Sequence, residues 1–138
     1  MKQPMVLVAC LLMNMICCND NPVKSEKSEN RSPILFSLVA FPDTIGRSDS
    51  AIVVCDAMDP DGDTLVYDWI TDARLRIKGA LVDDHTLYHT HENSRIFYPT
   101  RIVNVPADTP WVQCFARDVR GKSASGVILL IVRQPQRR

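Results

Sequence analysis

The stretch Cys55-Asp56-Ala57-Met58-Asp59-Pro60-Asp61-Gly62-Asp63-Thr64-Leu65-Val66-Tyr67-Asp68-Trp69 decides how this chain folds. At its centre, Asp59-Pro60-Asp61-Gly62-Asp63 is a turn. Proline presets a bend angle, glycine takes backbone conformations closed to other residues, and aspartate side chains bond nearby amides. Apolar residues alternate on either side of it. Val53, Cys55 and Ala57 share one face before the turn, and Leu65, Tyr67 and Trp69 share one face after it. A period of two is the signature of an extended strand with one face buried. Downstream, Trp111-Val112-Gln113-Cys114-Phe115-Ala116-Arg117-Asp118 alternates in the same way, and Gly121 marks the next turn.

Working outward, Ile34 to Phe41 reads as a first strand closed by Pro42-Asp43 and a polar loop. Ala51 to Ala57 is the second strand and Thr64 to Ile70 the third. Leu75-Arg76-Ile77, Ala80-Leu81-Val82, Arg95-Ile96-Phe97-Tyr98 and Arg101 to Val105 are shorter candidates within a less regular region. Trp111 to Val119 and Val127 to Val132 end the body, joined by the turn around Arg120-Gly121-Lys122. Nowhere does a period of 3.6 persist for three turns, so an all-β body is predicted.

Two cysteines flanking a tryptophan among short strands form the pattern of an immunoglobulin-like sandwich of two antiparallel sheets. The residues Cys55-x-Ala57-x-Asp59-Pro60-Asp61-Gly62-Asp63-x-Leu65-x-Tyr67-x-Trp69, with Ala116-Arg117-Asp118-x-x-Gly121 and a terminal apolar strand, resemble a PKD-type domain. The resemblance covers residues 34–132. It implies adhesion, spacing or ligand presentation rather than chemistry. It also implies that Cys55 and Cys114 bridge the sheets with Trp69 packed on the sulfurs in the core. Val112 stands where an antibody-type domain has a tyrosine two residues before its second cysteine.

Residues 1–17 read as a secretory signal: Lys2, then a short apolar run from Met5 to Met13. The run is too short to span a bilayer, which takes about 20 residues. The segment Met15-Ile16-Cys17-Cys18 resembles a bacterial lipoprotein processing site, in which the leader is cut before a cysteine that takes up a lipid. Cys18 fits better than Cys17, because Met15 stands three positions before it whereas Asn14 stands three before Cys17. Residues 18–33 are a polar tether with Val23 as its one aliphatic side chain, unable to bury enough surface to order itself. As a flexible coil it would reach about 20 Å. Residues 133–138 are a basic tail with three arginines, read as a solubilising end.

Of the five cysteines, Cys10, Cys17 and Cys18 lie in or beside the leader, leaving Cys55 and Cys114 as a pair in the body. A pair in a small exported domain is normally a disulfide. Acidic and basic residues balance at 16 each, so no bulk charge points to nucleic acid or to an anionic membrane.

Asp56, Asp59, Asp61, Asp63 and Asp118 are candidate calcium ligands, since calcium takes six to eight oxygens; turn chemistry is the alternative reading. An EF-hand is excluded, because Gly62 comes too early and Ile70 occupies the twelfth position, where glutamate is needed. His85, His89 and His91 are candidate zinc ligands, with His89 and His91 on one face if the segment is a strand. If Trp69 and Cys114 point inward, Val66, Asp68, Ile70, Trp111, Gln113, Phe115 and Arg117 point outward. Val66, Ile70, Trp111 and Phe115 then form a candidate binding face; cover by the loop from Asp72 to Pro99 or by the leading strand is the alternative, and the favoured one.

No nucleophile elbow or phosphate loop is present, so a non-catalytic module is expected. The expected role is binding or structure in the cell envelope, membrane-anchored through lipid or else cleaved and secreted, with an envelope protein or a glycan as partner and no cofactor unless calcium binds. A calcium-stabilised extracellular domain is the first alternative. An accessory module of a secreted hydrolase is the second.

Overall fold

A computed structural model describes residues 29–80, 88–100 and 107–133. The strands are β1 (Ile34–Phe41), β2 (Thr44–Gly46), β3 (Ala51–Met58), β4 (Val66–Thr71), β5 (Leu75–Ile77), β6 (Tyr88–Thr90), β7 (Ser94–Pro99), β8 (Ala107–Asp108), β9 (Trp111–Arg117), β10 (Ser123–Leu129) and β11 (Ile131–Arg133). No helix occurs among the described residues. One four-stranded sheet has the order β1-β3-β7-β5 and a second the order β10-β9-β4-β6. Every pairing within these two sheets is antiparallel.

The alternation seen in the sequence is what lets the two sheets share a core. In β3, Ala51, Val53 and Cys55 are buried while Ile52 and Asp56 are exposed. In β9, Val112, Cys114 and Ala116 are all buried. Trp69 pairs in register with Cys114 and is fully buried. Its ring lies 5.9 Å from that of Phe97, on β7 of the opposite sheet. The indole therefore spans the space between the layers, where aromatic burial is the largest apolar contribution a single side chain makes.

At one side of the sandwich β1 packs against β10 without pairing with it. Gly126 faces the side chains of Leu35 and Leu38, and an added Cβ would stand 3.5 Å from the Leu35 methyls. After β1 the chain passes through a cis Phe41–Pro42 bond and changes layers. β2 then pairs in parallel with β11, which also pairs with β8, making a third small sheet. Alternation predicts only a polar loop here, because Thr44-Ile45-Gly46 is too short to show a period.

Other boundaries shift for local reasons. The third strand begins at Val66 rather than Thr64, because the amides of Asp61 and Asp63 are held by the Asp59 carboxylate. The last strand begins earlier, at Ser123, and breaks at Leu130, whose amide donates to the Pro110 carbonyl at 2.9 Å. β6 carries no alternation to announce it. Leu81, Val82 and the strand expected over Arg101 to Val105 lie outside the described residues.

Candidate functional site

The acidic residues around the β3–β4 turn gather at one end of the sandwich. Asp59 is buried, and its Oδ1 accepts from the amides of Asp61 (2.8 Å) and Asp63 (3.3 Å). Gly62 takes φ +79° there, a conformation that favours glycine. Asp61 accepts from the Arg31 backbone amide and from its guanidinium, both at 2.7 Å. Asp63 faces Arg120 at 3.4 Å. Asp118, also buried, accepts from the amides of Arg120 and Lys122 and from the Asn30 side chain at 2.9 Å. Asn30 and Arg31, assigned to the tether on sequence, thus bond to the body. Asp56 stands apart, exposed on the outer surface of β3.

Turn chemistry therefore occupies much of this cluster. Among the described residues, no three His, Cys, Asp or Glu side chains are grouped to hold a metal. Three oxygens nonetheless lie buried without a hydrogen-bond partner: Asn30 Oδ1, Asp59 Oδ2 and Asp63 Oδ2. Replacing Asp59 by alanine removes the acceptor for two amides and is expected to cost about 1–2 kcal/mol. Asp59→Asn, which keeps an oxygen there, should cost less; urea midpoints compare the two.

Charge follows the same geometry. Hydrogen bonds from the Arg31 amide and side chain hold the Asp61 carboxyl below the ordinary aspartate range. Burial pushes Asp118 up, but bonds from Asn30 and from the Lys122, Arg120 and Gly121 amides outweigh it and hold this carboxyl low as well. A folded pKa below the unfolded value of about 3.9 means stabilisation that is complete above about pH 4 and lost as pH falls through the folded values. Urea midpoints should therefore stay level on acidification to about pH 5 and fall below about pH 4. The double variant Asp61→Asn, Asp118→Asn should weaken that fall.

Cys55 and Cys114 are both buried and stand as thiols in contact across the core. They are not joined by a disulfide in this structure. The hydrogen bond to Cys55, with burial added, pushes the Cys114 thiol far up, while the same bond lowers Cys55.

The outward face of the β10-β9-β4-β6 sheet departs from expectation at Asp68. This carboxylate does point away from Trp69, yet it is only 2% exposed. One oxygen lies 2.6 Å from His89 Nδ1 on β6 and the other 2.9 Å from Arg117 on β9. Sequence spacing could not show that pair, because β6 was not recognised as the neighbour of β4. His91 leaves the strand, which ends at Thr90, so it does not share a strand face with His89. His85 lies outside the described residues.

Val66, Ile70, Trp111 and Phe115 do occupy that outer face, but each is half-buried. The strongly exposed apolar side chains lie beside them on the edge strand of the same face and on the opposite sheet. Val127 and Leu129 are 59% and 57% exposed on β10. Ile34, Phe36, Val39 and Phe41 of β1, with Ile52 and Met58 of β3, form another exposed group on the opposite sheet.

The fold defined by these two antiparallel layers is an all-β, immunoglobulin-like sandwich. Within that class it is PKD-like. The crystal structure of the PKD1 domain of Vibrio anguillarum Epp superposes with a TM-score of 0.50 at 16% sequence identity, covering 78% of this chain and 100% of that domain. No protein-family model matches the chain. No curated protein matches it.

Proposed function

We propose that this chain is a non-catalytic module of the bacterial cell envelope, tethered through a lipid on Cys18 and presenting its sandwich to an envelope protein or a glycan. The observation that supports this reading best is where the molecule keeps its polar and apolar groups. Its buried carboxylates hold turns or pair with neighbouring cations, while large apolar side chains stand on its surface. Surface apolar groups in that number are a feature of contact surfaces rather than of reaction sites. The leader, the cysteine at its end and the polar tether supply the route to a membrane.

Intact mass of the mature protein tests the anchor. A mass beginning at Cys18 and carrying acyl chains supports it, and Cys18→Ser should release the protein from the membrane fraction. An unmodified mature chain in the medium of wild-type cells would rule the anchor out.

A second reading is favoured by buried oxygens of Asn30, Asp59 and Asp63 that accept no hydrogen bond, the Asp63 oxygen facing Arg120. Calcium bound at that end would supply those oxygens with a cation. Because a ligand that binds only the native state raises stability, the melting midpoint should be higher in calcium than in chelator. Equal midpoints remove this reading.

A further inference from the structure

The two main sheets have four edge strands among the described residues: β1, β5, β6 and β10. An edge strand offers a row of unpaired amides and carbonyls, and proteins blunt such edges with charge, proline, bulges or brevity. Three of the four are blunted. β5 and β6 are three residues long, and β5 carries Arg76. β1 shifts register between Leu35 and Ser37 and lies between Pro33 and Pro42.

β10 has none of these devices. Its seven residues, Ser123-Ala124-Ser125-Gly126-Val127-Ile128-Leu129, hold no charge and no proline. They pair with β9 in unbroken register, so no bulge turns the edge aside. Among the described residues, β1 packs against β10 without pairing with it, and β2 pairs only with Ile131–Arg133 of β11. The run from Ser123 to Val132 is uncharged throughout.

We propose that the bare edge of β10 is a self-pairing surface, through which two copies of this chain join antiparallel and merge their sheets. Three features select a second copy as the occupant. The bare backbone calls for hydrogen-bonding groups, which acyl chains do not offer. The strand is neutral, so aligning it against itself sets no like charges opposite one another. Finally, an antiparallel pair of identical strands closes on a two-fold axis and leaves no further edge of that kind to propagate a fibre. With the axis at Gly126, Ser125 stands opposite Val127 of the other copy. The two Val127 side chains then meet on the diagonal, within reach of one another. Val127 and Leu129, more than half exposed in the single chain, would gain side-chain neighbours on the adjoining strand. This inference does not depend on the lipid anchor or on the nature of the ligand.

The test uses the mature protein purified from expressing cells, with mass read by sedimentation equilibrium and amide exchange followed along β10. The expected result is a doubling of protein mass as concentration rises, accompanied by slowed exchange at Ala124 to Ile128. The variant Ser125→Lys, Val127→Lys sets four cations across the axis and should stay monomeric. Both positions are exposed, so its circular dichroism and melting should match the parent. Ile52→Lys, exposed on the opposite sheet, should still dimerise. A parent that stays monomeric up to about 1 mM overturns the proposal, since self-affinity would then be too weak to matter. So does a dimer that survives the double variant or is lost in Ile52→Lys. Slowed exchange along β10 caused by a different co-purifying chain would also overturn it, in favour of a foreign strand.

Discussion

Trp69→Ala is expected to lower stability by about 3–5 kcal/mol, the range for deleting a large aromatic from a packed core. Trp69 is fully buried, pairs in register with Cys114 and lies 5.9 Å from Phe97 in the facing sheet. Removing it takes away the largest fully buried side chain among the described residues, and the strands around it are held too firmly by their ladders to collapse into the space. Since small domains are stable by only about 5–15 kcal/mol, this is a large share of the margin. Urea unfolding followed by circular dichroism reads the loss directly. Trp69→Phe is the informative companion. The indole Nε1 is buried without an acceptor, so phenylalanine keeps a ring beside Phe97 while removing an unsatisfied donor. Its cost should be under about 2 kcal/mol. If both variants were equally tolerant, the indole would not be the centre of this core.

The second large effect concerns Cys55 and Cys114. The two thiols are buried neighbours from opposite sheets. We expect oxidation in an export compartment to join them. Closing a loop of about 60 residues would then contribute about 4 kcal/mol, by restricting the unfolded chain. The expected result is a urea midpoint that falls steeply when reductant is added to the mature protein. A Cys55→Ala, Cys114→Ala variant should not respond to reductant at all. Alkylation of the denatured, unreduced protein gives an independent reading, because a bridged pair takes up no label. Labelling of both body cysteines in mature protein would overturn the bridge and leave a pair of core thiols. While the pair is reduced, the hydrogen bond to Cys55 and burial push the Cys114 thiol up.

Both effects concern residues whose placement is legible from spacing alone. Cys55, Trp69 and Cys114 sit at positions where a period of two turns one face inward, and all three are buried. The turn at Asp59 to Asp63 is equally legible, because proline, glycine and aspartate act on the backbone within a few residues. The outer faces were less legible. Alternation placed Asp68 outward, and it is outward, yet His89 and Arg117 enclose it from the strands on either side. Nothing within Val66 to Thr71 encodes which strands those are. Trp111 and Phe115 likewise stand on the expected face but are half-buried, while Phe36 and Phe41 of β1 are more open.

Read by itself, the amino-acid sequence determined an all-strand body, its inward-facing residues and its principal turn, because each is set by backbone geometry over a few consecutive positions. The tertiary structure alone decided the pairing of β4 with β6, the crossing of the chain from β1 to β2, and the place of β10 at the sheet edge among the described residues. These depend on which segments, distant in sequence, come to lie side by side. That choice is made by the packing of two whole sheets around Trp69 and Phe97, a sum over residues that no local pattern contains.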